Sequence, residues 1–188
     1  MRSALASRQC GEVPVDSKHI GAVGSSAGAH LVALLGTTSG ERKWEGEGGN
    51  PTQSSSVQAM VCHGTPAEFL LGYRDSLKQE RAVGASVRNM LIALLGDTPE
   101  KLPELYVDAS PITHASKATP PTLLLHGSAD PLVLLEQAQV FEKKLKVEGV
   151  DVQLLTLEGA GHGGMGNNPH SVLQTYTAFL KRNLQPAR

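Results

Sequence analysis

The sequence predicts an α/β fold: a mostly parallel sheet with helices on both faces. Two observations carry this. Short apolar runs at 20–23, 57–62, 122–126 and 152–157 alternate with segments whose apolar residues recur every three or four positions. The run Thr-Leu-Leu-Leu-His at 122–126 is apolar almost throughout, as a strand buried on both faces is. Short strands separated by helices build parallel βαβ units. A length of 188 residues at 40% hydrophobic content fits one such domain, over 1–188.

In chain order, residues 3–9 carry a short helical pattern, and Pro14 and Asp16 favour a turn before the first strand. The run bounded by Ile20 and Val23 reaches Gly24, turns through Ser25, Ser26 and Ala27, and leaves Gly28 to open a helix carrying Leu31, Leu34 and Leu35. Residues 36–56 are polar and rich in Gly and Ser, a surface loop with Trp44 as its one large anchor. A second strand over 57–62 enters a loop at His63-Gly64-Thr65-Pro66. Residues 76–95 predict one helix from the spacing of Val83, Val87, Leu91, Leu94 and Leu95, ended by Gly96 and Pro99. A short helix follows over 100–106, and irregular chain resumes at Ala109-Ser110-Pro111. After the third strand, Leu134, Ala138, Phe141 and Leu145 share one face of an amphipathic helix. A fourth strand over 152–157 leads to a glycine-rich loop around His162, and Val172, Tyr176, Phe179 and Leu180 form the buried stripe of a last helix.

The strand, sharp turn and helix around Gly-Ser-Ser-Ala-Gly at 24–28 give that pattern a mechanism. Gly24 and Gly28 lack a Cβ, so strand and helix can approach closely while Ser26 sits in a strained conformation with its hydroxyl projecting outward. Taken alone, the five residues also fit a glycine- and serine-rich turn capping a helix. Ser26 is the candidate nucleophile. A serine hydroxyl needs a base within hydrogen-bond reach, and imidazole, with a pKa of about 6.5, suits that role. His162 is the candidate base. The imidazolium that forms needs a buried carboxylate to stabilise it and fix its tautomer; Asp130 is the candidate, with Glu158 as a rival acid near the same strand end. Ser26, Asp130 and His162 each follow a predicted strand, and ligands of parallel sheets sit beyond the carboxyl ends of the strands. His30, His63, His114 and His126 read as packing or loop residues.

The order Ser26, Asp130, His162 matches the chain order of the α/β-hydrolase triad. Gly-Ser-Ser-Ala-Gly-Ala-His-Leu, Ala-Ser-Pro-Ile-Thr-His, Pro-Pro-Thr-Leu-Leu-Leu-His-Gly-Ser-Ala-Asp-Pro-Leu-Val and Gly-Ala-Gly-His-Gly together resemble the esterase branch of that superfamily, and within it the BD-FAE and acetyl-esterase/lipase-like group. The resemblance implies hydrolysis of small carboxylic esters through an acyl-enzyme, with no dissociable cofactor. Two backbone N–H groups receive the oxyanion in such chemistry, and Ala27 can supply one. In the family that this chain resembles, the other comes from a His-Gly-Gly loop upstream of the nucleophile, and the 25 residues before Ser26 contain none. Neither His63-Gly64 nor His162-Gly163-Gly164 is assigned to that role. The resemblance therefore implies a truncated α/β-hydrolase fold. The run from Ile20 to Val23 becomes an exposed apolar edge, which makes the chain either a fragmentary product or a minimal version that covers the edge as a homodimer.

A formal net charge of −1 without a basic run excludes nucleic acid and anionic membranes as favoured partners. The seven histidines are scattered, none at metal-ligand spacing from cysteine or another histidine, so no structural metal is expected. Cys10 and Cys62 read as two reduced thiols. No apolar stretch approaches a membrane span and no signal-peptide core is visible, so the default is cytoplasmic, or secreted if a leader preceded the missing strands. Two alternatives to the esterase stand beside it: a serine peptidase of the prolyl-oligopeptidase type, and a catalytically impaired hydrolase fragment serving as a binding or structural module.

Overall fold

The computed structural model describes residues 16–46, 49–50 and 52–185. The helical pattern expected at 3–9, Pro14 and Cys10 lie outside the described residues. Four strands, β1 (Gly21–Ser25), β2 (Ala59–His63), β3 (Thr122–Gly127) and β4 (Val152–Leu157), form one sheet in the order β1-β2-β3-β4. Every pairing is parallel, with Ser25 opposite His63 and Gly127 opposite Leu157. All four carboxyl ends thus lie along one rim.

The two-residue side-chain period of the strands sorts the core onto two faces. Met60, Cys62 and Leu124 pack with Ala29 and Ala33 of α1 (Ala27–Thr37) and with Phe141 and Leu145 of α7 (Leu135–Val147). Ala59, Val61, Leu123 and Leu125 pack with Val172 and Phe179 of α8 (Pro169–Leu184) on the other side. β2 and β3 are covered on both faces, which is why their sequences are apolar except for Thr122 and the histidines near their carboxyl ends. Burial raises the Cys62 thiol to a pKa of about 12, so it packs as a small apolar group.

Four features differ from the sequence expectation. The buried stripe of α1 runs through Ala29, His30 and Ala33 rather than through Leu31, which is 65% exposed. Small side chains let the helix lie close on the sheet. The loop at 36–56 contains one turn of helix, α2 (Arg42–Glu45), where Trp44 meets the His114 ring edge-on. The helix expected over 76–95 is α4 (Arg81–Leu95), which starts later, and a separate helix, α3 (Phe69–Ser76), precedes it in chain for which no helix was expected. α4 folds back on the end of α3: a Cβ on Gly84 would lie 2.0 Å from the Ser76 carbonyl oxygen, and Arg88 Nη1 donates to that same oxygen at 2.8 Å. With α5 (Pro103–Asp108), this pair encloses a small core of its own, Phe69, Leu91 and Tyr106, at the rim of the sheet. A further short helix, α6 (Pro111–His114), occupies chain expected to be irregular.

Candidate active site

Ser26 sits between β1 and α1 at φ 53°, ψ −123°, the one non-glycine residue with positive φ among the described residues. Such a conformation persists only when its surroundings hold it. Its N–H donates to the His63 carbonyl at 2.8 Å, tying the turn to β2, and its carbonyl accepts the first helical bond from His30 N–H at 3.0 Å. The close approach expected of Gly24 and Gly28 rests on Gly24: a Cβ there would lie 2.2 Å from the Gly28 carbonyl oxygen, whereas a Cβ on Gly28 meets nothing within 4 Å. Ala27 is the first residue of α1, so its N–H has no acceptor within the helix and stands at the positive end of the helix dipole.

The loops after β3 and β4 are fastened together. Ser128 N–H donates to Leu157 O at 3.0 Å, Ala129 N–H to Ala160 O at 3.0 Å, and Gly159 N–H to Ser128 Oγ at 2.9 Å. This places Asp130 and His162 side by side. Asp130 Oδ1 accepts from the N–H groups of Leu132 at 2.9 Å and Val133 at 3.0 Å. Its Oδ2 accepts from His162 Nδ1 at 2.7 Å. With Nδ1 carrying the proton, Nε2 is left to accept from Ser26 Oγ, 2.8 Å away. The carboxylate side chain has no solvent exposure, while the imidazole retains 20%. Glu158, the rival acid, is exposed, and His162 faces Asp130 instead.

Three further histidines each donate to a backbone carbonyl. His30 donates from Nε2 to Ala109 O at 2.8 Å and stacks on Phe69. His114 donates to Asp108 O at 2.7 Å. His126, fully buried, donates from Nε2 to Val133 O at 2.7 Å and so fixes the far end of the loop that carries Asp130. Burial holds the pKa values of His30, His63 and His126 below the ordinary imidazole value.

Beside Ser26 opens a cavity of about 320 Å³ roofed by α3 and α4. Sequence reasoning missed it, since Val87, Leu91 and Leu94 were used there only to predict a helix. Residues 87, 90, 91 and 94 follow the i, i+3, i+4, i+7 spacing of any amphipathic helix, which does not tell a core face from a cavity wall. Among the described residues, no helix is long and apolar enough to cross a membrane.

A parallel sheet with helices on both faces, and a serine on a strained strand-to-helix turn joined to histidine and aspartate at the same rim, are the arrangement of the α/β-hydrolase class. Residues 7–145 match the family model described as BD-FAE, and the chain belongs to that family. It is 35% identical over 150 residues to Esterase LipC of Mycobacterium tuberculosis, an alignment covering 79% of this chain and 35% of LipC. A thermophilic esterase of the Planctomycetes species Thermogutta terrifontis, solved with propionate, superposes with a TM-score of 0.73 at 26% identity, covering 100% of this chain and 65% of that one. A truncated carbohydrate esterase from gut microbiota gives a TM-score of 0.81 at 22% identity, covering 97% and 65% of the two chains, a likeness of fold. The chain spans about a third of the length of the curated relatives it matches.

Proposed function

We propose that the chain is a serine hydrolase cleaving small carboxylic esters through an acyl-enzyme. One observation carries the reading: the unbroken relay from Ser26 Oγ to His162 Nε2 at 2.8 Å and from His162 Nδ1 to Asp130 Oδ2 at 2.7 Å. Ser26 Oγ attacks the ester carbonyl carbon as its proton passes to His162 Nε2. Asp130 stabilises the imidazolium and holds the ring in place. The carbonyl oxygen, now negative, takes a hydrogen bond from Ala27 N–H. As the tetrahedral species collapses, the carbon–oxygen bond to the alcohol breaks and His162 returns the proton to the leaving oxygen. Water entering the vacated position gives a proton to His162, attacks the acyl carbon, and releases the acid as Ser26 regains its proton.

The test compares 4-nitrophenyl acetate with a peptide 4-nitroanilide, using the native chain and Ser26→Ala. The reading predicts ester hydrolysis well above the amide rate, and a loss on the order of 10⁴-fold or more in kcat with Ser26→Ala. Faster amide cleavage would favour a peptidase, and equal ester rates for native chain and variant would remove the nucleophile.

A further inference from the structure

The cavity beside Ser26 has a composition that selects among esters. Phe69 of α3 and Leu91 of α4 form its deeper wall at 4% and 9% exposure, whereas Met90 and Leu94 stand at its rim at 55% and 63%. Positions 87, 90, 91 and 94 share one face of α4, so the helix turns a continuous apolar strip towards the opening. Apolar side chains held this far into water gain when an apolar chain covers them. The cavity lining carries two carboxylates, Glu68 and Asp75, and no lysine or arginine among the described residues. Asp75 is 5% exposed, and its Oδ2, like Oε1 of the neighbouring Gln79, is shut from solvent without a hydrogen-bond donor. Asp75 Oδ1 lies 3.6 Å from Arg74 Nε and from Lys78 Nζ, both outside the lining, so its charge is already paired and the cavity wall offers a substrate carboxylate acceptors and no cation.

Building on the ester-hydrolase reading, we propose that this cavity takes the unbranched aliphatic chain of a neutral ester, about six to eight carbons long, with Met90 and Leu94 setting the length. The length follows from volume. At about 30 Å³ for each water-sized group, a cavity of about 320 Å³ holds on the order of ten non-hydrogen atoms. The reacting carbonyl and its oxygens occupy roughly two or three of these positions beside Ser26. The rest is filled by the chain, and the strip on α4 is the surface that it covers.

The full chain is assayed with 4-nitrophenyl acetate, butyrate, hexanoate, octanoate and dodecanoate, and with acetates of the corresponding linear alcohols. The two series tell whether the chain enters from the acyl or the alcohol side. In one of them kcat/KM rises about fourfold for each added methylene up to hexanoate or octanoate, or the matching alcohol, and falls at the longest member. The 4-nitrophenyl monoester of adipic acid is cut at least tenfold more slowly than the hexanoate. Leu94→Trp, at an exposed position that does not threaten folding, lowers the ratio of octanoate to acetate rates, or of the matching alcohols, and Met90→Trp does the same. A rate that falls steadily from the shortest member in both series overturns this inference and leaves the ester-hydrolase reading standing, as does an optimum that neither substitution moves. Absence of hydrolysis of every ester overturns both.

Discussion

At Ser26 the backbone stands where side chains of L-residues are rarely found, and both neighbouring peptide groups hold it there: N–H on His63 O, and C=O on His30 N–H. Asp130 is held as firmly, by two backbone N–H groups on one oxygen and the His162 ring on the other. Replacing Asp130 by Asn leaves much of this geometry but favours the wrong imidazole tautomer, so kcat for ester hydrolysis should fall by about 10⁴-fold while KM changes little. Steady-state kinetics on 4-nitrophenyl acetate checks this. The buried His30 and His126 give a second prediction. Their pKa values are depressed by burial, so below about pH 6.5 the unfolded chain takes up protons that the folded chain refuses. Stability contributed by their neutral state is fully present above about pH 6.5 and is lost as pH falls below it, by at most about 1.4 kcal/mol per pH unit for each histidine. Urea midpoints at about pH 7.5 and about pH 5.5 should differ in that direction. Ser26, Asp130 and His162 were legible because each belongs to a reactive residue type placed just after an apolar run. The N–H groups of Leu132 and Val133 were not, since any residue other than proline supplies one.

Among the elements, the turn from β1 to α1 depends on close backbone contact at Gly24, where an added Cβ would sit 2.2 Å from the Gly28 oxygen. Gly24→Ala should therefore lower unfolding stability by about 3 kcal/mol or more. Gly28→Ala, whose Cβ meets open space, should change it by no more than about 1 kcal/mol, in the stabilising direction that replacing a helical glycine gives. Urea unfolding of the two variants side by side separates them. The start of α4 at Arg81, rather than at residue 76, was hidden for a related reason. No proline or glycine marks residues 77–80, so local signals favour one helix. The turn is imposed from a distance by Gly84 and Arg88 folding back on the Ser76 carbonyl. Gly84, an isolated glycine within a helical pattern, was the trace left in the sequence.

Across the whole molecule, the parallel sheet was readable because β2 and β3 need apolar residues on both faces and helices separate every pair of strands. Register and the cap of α3 and α4 over the rim were not, since both depend on contacts between distant segments. The sheet brings three loop residues from distant parts of the chain into one line of hydrogen bonds, and that convergence is what the ester-cleaving proposal uses. The most direct test treats the native chain with a fluorophosphonate and maps the adduct by mass spectrometry. A stoichiometric adduct on Ser26, absent from Ser26→Ala and suppressed in His162→Ala, is the predicted result. An unmodified native chain, or an adduct on any other residue, would contradict it.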